Sequence, residues 1–240
     1  MKTLEINTLP TLPFDVSEAI NQLRVNLSFT GSDMKVIMVT SSLPNEGKSF
    51  VSINLWRSLA SVGKRVLLLD CDLRMSELVS RLDVRASGNF VGTAHVLSGQ
   101  ADFADVIYRT NIPNGYILPV TTFVSDPTIL LENNRFSVLM DSCRETFDYV
   151  IVDTPPLGSV SDALRISTKC DGSVLVVRSG FTKKRIVNDS VQALKRANVS
   201  LLGIVLNRVD TSKKSSSYYY KDYAKYGAEY YQSKEKNKHN

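Results

Sequence analysis

Six stretches of the chain are continuously apolar and rich in Val, Ile and Leu: "KVIMVTS" (35–41), "RVLLLD" (65–70), "GYILPV" (115–120), "DYVIVD" (148–153), "SVLVVR" (173–178) and "LLGIVLN" (201–207). Their shortness and lack of alternation predict strands covered on both faces. Helical periodicity fills the intervals, over 48–62, 135–147, 161–169 and 182–197. Ahead of the first strand, "DVSEAINQLRVNLSF" (15–29) predicts an amphipathic helix capped by Asp15 or Ser17. Strands alternating with helices give an α/β fold, a doubly wound and mainly parallel sheet with helices on both faces. Such sheets bind ligands at the carboxyl ends of their strands, which makes Ser41, Asp70, Asp153 and the residues just after each the candidate binding edge. No internal repeat is visible. Periodicity stops after Asp210, which divides the chain into a domain of residues 1–210 and a tail of residues 211–240.

Composition narrows the setting. With 240 residues and 43% hydrophobic content, one large domain can bury its own core. No apolar run approaches the roughly 18 residues of a membrane span, and "MKTLEINTLPTLPFD" lacks the apolar centre of a secretion signal, so a cytosolic protein is expected. Cys71, Cys143 and Cys170 are widely spaced and form no CxxC, which fits reduced thiols and no structural zinc. Of the net charge of +5, the tail supplies +4, from seven lysines against Asp222, Glu229 and Glu235. These lysines are scattered, no groove-reading motif accompanies them, and no nucleic-acid partner is expected. Tyr218, Tyr219, Tyr220, Tyr223, Tyr226, Tyr230 and Tyr231 crowd the same tail. Four of them fall at helical spacing, while the serines, lysines and Gly227 around them favour a solvated chain. Composition leaves both readings open.

The chemistry starts at "SLPNEGKS" (42–49), which fits the P-loop pattern except that Ser42 stands at the first glycine. A loop between strand and helix can turn its N–H groups onto phosphate oxygens where the helix dipole also favours negative charge. Gly47 allows close approach of the backbone, Lys48 would bridge the β- and γ-phosphates, and Ser49 would offer its hydroxyl to Mg²⁺. Two further acidic strand ends lie on the same edge, "LLLDCDLR" with Asp70 and Asp72, and "VIVDTPP" with Asp153. Any one of them could be a helix cap. Their joint occurrence beside a P-loop points instead to a metal-bound nucleotide.

Together these three motifs resemble the Walker A, A′ and B set of the bacterial protein-tyrosine kinases of capsule and exopolysaccharide gene clusters. The resemblance runs from about Ser17 to the C-terminus, and the A′ segment with its trailing Arg74 is its most specific part. "VLSG" (96–99) and "DPTILL" (126–131) add to it. The resemblance implies a P-loop NTPase scaffold, ATP and Mg²⁺ as cofactors, and a nucleotide site of Ser42, Pro44, Asn45, Glu46, Gly47, Lys48, Ser49 and Phe50. From the wider family, Asn207 would contact adenine with Arg208 nearby. Lys48, Asp70 and Asp72 would be catalytic. Ser49, Asp70 and Asp153 would serve the metal, with Asp70 able to double as the base. The phenol, with a pKa of about 10, gains from a carboxylate that takes its proton. The loose, highly charged transition state leans more on Lys48 and the metal.

The same resemblance makes the tail tyrosines the phosphoacceptors, modified in trans. A flexible tail reaches roughly 15 to 25 Å over the relevant 8 to 20 residues, enough to enter a neighbouring subunit's site. It implies a ring-like homo-oligomer using Glu18 and Arg24, a membrane adaptor of the polysaccharide co-polymerase type that activates the kinase, a protein tyrosine phosphatase, and a place at the inner face of the membrane held by that adaptor. Departures are Asn45 in place of a glycine, and an assembly helix reading Glu18, Asn21, Arg24 with one arginine missing. A partitioning-type ATPase acting as a dimerisation switch is the alternative. That class has a second lysine early in the loop, where Ser41, Ser42 and Leu43 stand here.

Overall fold

Strand β2 (Val36–Ser41), which leads into the phosphate loop, lies in the middle of the sheet, and the register of its neighbours decides what the loop faces. The computed structural model describes residues 2–31, 33–86 and 90–210. In chain order its elements begin with β1 (Lys2–Ile6), α1 (Phe14–Ser28), β2, α2 (Lys48–Ser61), β3 (Val66–Asp70), α3 (Leu78–Arg81) and β4 (Val84–Ala86). There follow α4 (Thr93–Ser98), α5 (Phe103–Val106), β5 (Tyr108–Thr110), β6 (Gly115–Leu118), α6 (Thr128–Glu132) and α7 (Asn134–Thr146). The last are β7 (Tyr149–Asp153), α8 (Asp162–Ser167), β8 (Gly172–Arg178), α9 (Lys184–Arg196) and β9 (Leu201–Asn207). The sheet order is β4-β1-β5-β6-β3-β7-β2-β8-β9, parallel except for the β1/β4 and β5/β6 pairs.

The apolar runs are continuous because each strand feeds two cores. Val36 and Met38 of β2, with Leu67 and Leu69 of β3, pack beneath α4, α7, α8 and α9. Ile37, Val39, Val66 and Leu68, alternating with them, pack beneath α1 and α2 with Trp56 and Leu59. Trp56 is fully buried and donates its indole N–H to the Val66 carbonyl at 3.0 Å, which satisfies its polar atom. Gly115 gives that ring room, since a Cβ there would lie 2.6 Å from Cζ2 of Trp56.

All six predicted strands and five predicted helices are present, the ends shifted by a residue or two. Three expectations change. The N-terminal helix is capped by Pro13, and no side chain caps it. Asp15 and Ser17 lie inside its first turn, where Asp15 meets the positive end of the dipole. Second, β9 is the outer strand, and its Ile204 and Leu206 are exposed rather than covered. Third, β1, β4 and β5 extend the sheet beyond the six strands expected, adding its antiparallel pairings.

Candidate active site

The turn from β2 into α2 is built from left-handed residues. Gly47 has φ of 98° and Asn45 has φ of 63°, so asparagine's tolerance for this region fills the place of the missing glycine. Lys48 is the first residue of α2, and Pro44 and Asn45 are exposed at the crest of the loop. Phe50 turns its ring toward the α2-side core. Ser42 is fully buried: its Oγ accepts from the Ser190 hydroxyl of α9 at 2.9 Å, and its carbonyl accepts from Gly158 N–H at 3.1 Å. Its side chain is therefore committed to α9, and only its backbone is left for a ligand.

Across the loop stand the acids. Asp70 and Asp153 are register partners at the ends of adjacent strands β3 and β7. Lys48 lies within their electrostatic reach, with Nζ 3.0 Å from Asp72 Oδ2. Burial alone would lower the Lys48 pKa, but the charges of Asp153, Asp72 and Asp70 outweigh it and raise the value. Asp153 accepts from the Ser52 hydroxyl at 2.9 Å. Its pKa is raised by burial, against the lowering influence of Lys48 and of the Ser49 and Ser52 hydroxyls. Asp70 is fully buried and pushed up to about 7, by burial first and then by Asp153. It accepts from the Ser76 hydroxyl and, at 3.2 and 3.4 Å, from the backbone N–H groups of Asp72 and Val120.

Of the two A′ acids, then, Asp72 touches Lys48, while Asp70 sits deeper among hydrogen-bond donors. Arg74 locks this segment in place. Its guanidinium forks onto Asp162 at 2.6 and 3.2 Å, and donates to the Ser125 carbonyl at 2.6 Å. Asp162 opens α8 beyond the Asp153 strand, so Arg74 joins the A′ segment to the one after Asp153. On the other flank, Asn207 donates from Nδ2 to the Glu46 carbonyl at 2.9 Å, and exposed Arg208 has φ of 55°.

The residues fit Mg²⁺. One lysine faces three buried carboxylates, two of them raised in pKa, by burial first. Among the described residues, no group of three His, Cys, Asp or Glu side chains is disposed to hold a metal alone. Mg²⁺ does not require one, since it keeps water and takes ligands from phosphates. Ser49 and Asp153 are the protein groups that would hold it, with Asp70 behind, and it would supply charge to the phosphates.

Sequence reasoning missed Ser52, Ser76 and Asp162. Ser52 alone had a signal, being four residues after Lys48 on one helical face. Glu18 and Arg24 both lie on α1. Glu18 accepts from Asn21 at 3.1 Å, and Arg24 donates to Ser58 of α2 at 3.1 Å. The tyrosines from Tyr218 to Tyr231 lie outside the described residues.

A strand-loop-helix turn whose lysine is ringed by strand-end carboxylates defines a P-loop nucleotide-binding protein. A family model described as "AAA domain" matches residues 34–179. The tyrosine-protein kinase CpsD of Streptococcus agalactiae is 38% identical over 210 residues, covering 88% of this chain and 89% of that protein. The kinase domain of the Escherichia coli tyrosine kinase ETK matches with a TM-score of 0.74 at 29% identity, over 87% of this chain and 86% of that one. MinD of Pyrococcus horikoshii OT3, a septum site-determining protein complexed with Mg-ADP, matches with a TM-score of 0.63 at 26% identity, over 75% and 72%. The chain belongs to the bacterial tyrosine-protein kinases, and it is an enzyme of that class. Among the described residues no helix is long and apolar enough to cross a membrane.

Proposed function

We propose that the protein transfers the γ-phosphoryl group of Mg·ATP to the tyrosines of residues 218–231 on another copy of itself, and so regulates capsular or exopolysaccharide synthesis. The observation that carries this reading is the convergence of Lys48, Asp72 and Asp153 at the mouth of the phosphate loop. Lys48 draws the β- and γ-phosphates in, which loosens its bond to Asp72. Asp72 is then the carboxylate free to accept the phenolic proton, while Asp70 and Asp153 face the metal and its water. Acting in trans, the enzyme would assemble as a ring-like oligomer through the α1 surface bearing Glu18 and Arg24. A membrane adaptor would activate it and hold it at the inner face of the membrane, and a protein tyrosine phosphatase would reset it. Each phosphate adds about −1.5 to −2 charges, so three or four would reverse the tail's +4 and disperse the assembly.

The test uses γ-labelled ATP and Mg²⁺ with the full chain, Lys48→Met and a chain stopped at Asp210. Label on tyrosine that requires both Lys48 and the residues after 210 supports the proposal. Mixing Lys48→Met as acceptor with the stopped chain as donor tests transfer between copies. Free phosphate without labelled protein favours the nucleotide-dependent dimerisation switch.

A further inference from the structure

Glu46 belongs to the phosphate loop but turns its carboxylate into the protein, where it is fully buried. Oε2 accepts from Leu43 N–H at 2.7 Å, across the loop itself. Oε1 accepts from Arg178 N–H at 3.2 Å, where β8 ends, and from the Thr182 hydroxyl in the turn before α9. The main chain of the same residue closes a third link, its carbonyl accepting from Asn207 Nδ2 at the end of β9. A buried carboxylate is costly unless its oxygens are filled, and here two backbone N–H groups and a hydroxyl fill them. These donors come from parts of the chain more than 130 residues away as well as from the loop.

Its position explains the arrangement. Glu46 sits between the two left-handed residues, Asn45 and Gly47, and alternation of this kind turns successive N–H groups toward one point. Asparagine tolerates the left-handed region by itself, but the curve as a whole needs support to stay aimed at one point. The carboxylate supplies that support by bracing the loop against β8 and the turn before α9.

We propose that Glu46 is a positioning residue: a buried strut that holds the phosphate loop in its anion-binding curve and fastens it to Thr182 and Asn207, so that phosphate and base are gripped by one connected frame. The inference rests on the reading of the loop as the nucleotide site. The strut acts on ground-state binding, so weakening it raises KM for ATP and leaves kcat nearly unchanged.

Thr182 allows the test from outside the loop. Mg·ADP binding by calorimetry, KM and kcat for tyrosine phosphorylation, and thermal melting are measured on the full chain, Thr182→Val, Thr182→Ser, Glu46→Gln and the Glu46→Gln/Thr182→Val double variant. Thr182→Val should weaken Mg·ADP about tenfold, the loss of one hydrogen bond to a charged acceptor, and raise KM in parallel with kcat within about twofold. Thr182→Ser, which keeps the hydroxyl, should restore both. Glu46→Gln should weaken binding at least as much, and the double variant should add little, because both changes break the same link. A Thr182→Val chain that melts earlier but binds Mg·ADP like the wild type overturns the strut, as does a double variant whose losses multiply. Failure of the wild type itself to bind Mg·ADP would instead overturn the nucleotide reading, and the strut with it.

Discussion

Asp70 carries a charge that the fold tolerates poorly, and Asp70→Asn measures by how much. Its carboxyl titrates at about 7 in the fold against an ordinary value of 3.8, through burial and then the neighbouring Asp153. Between about pH 4 and pH 7 the folded chain therefore keeps a proton that the unfolded chain has lost, and stability falls as pH rises through that window. At 1.36 kcal/mol per pKa unit the full loss is about 4 kcal/mol, of which about 2 kcal/mol comes above pH 5.5. Asparagine keeps the shape without the charge. It loses part of the hydrogen bonding from Ser76, Asp72 and Val120, a cost of about 1 kcal/mol that does not depend on pH. Thermal unfolding would be followed in EDTA without nucleotide, for both chains, from pH 5.5 to pH 8. The variant should gain on the wild type by about 4 to 8 °C across this range, since about 2 kcal/mol corresponds to that shift in a chain of this size. Parallel melting curves, or a variant that loses ground as pH rises, would refute the account. Asp153 titrates in both chains and largely cancels from the comparison.

Other consequences are open to direct measurement. Gly47→Ala places a Cβ 2.0 Å from Asn207 Nδ2 at a φ of 98°, so Asn207 must leave the Glu46 carbonyl; calorimetry should find Mg·ADP bound at least tenfold more weakly. Trp56→Phe removes the hydrogen bond to the Val66 carbonyl and should cost about 1 kcal/mol in urea unfolding while leaving nucleotide affinity alone. Burial raises the pKa of all three thiols, Cys143 to about 12, so at pH 8 the folded chain should react with Ellman's reagent far more slowly than the unfolded chain. Asp162→Ala frees Arg74 from its fork and should lower the phosphorylation rate more than it lowers the melting temperature, as seen in initial rates with saturating Mg·ATP.

The central sheet was legible in the sequence because its strands are buried twice over. A run such as 66–70 has no polar side to hide and stands out at once. The outer strands gave no such signal: β4 and β5 are three residues each, too short for any period to register, and β1 pairs with partners about 80 and 105 positions away. The acids were found because they end legible strands. Their unequal surroundings were not, since what separates Asp70 from Asp72 is Ser76, Val120 and Lys48, brought together only by folding. The same holds for Glu46, which read as one more loop residue until Arg178 and Thr182 arrived beside it.

Strand β9 runs parallel to β8, and β8 to β2, so the chain leaves the last strand on the very rim where the lysine and the acids meet. The end of β9 is thus bonded straight to the phosphate loop, Asn207 to Glu46, with no return crossing between them, so the last strand of the described chain and the first turn of α2 share one edge of the sheet.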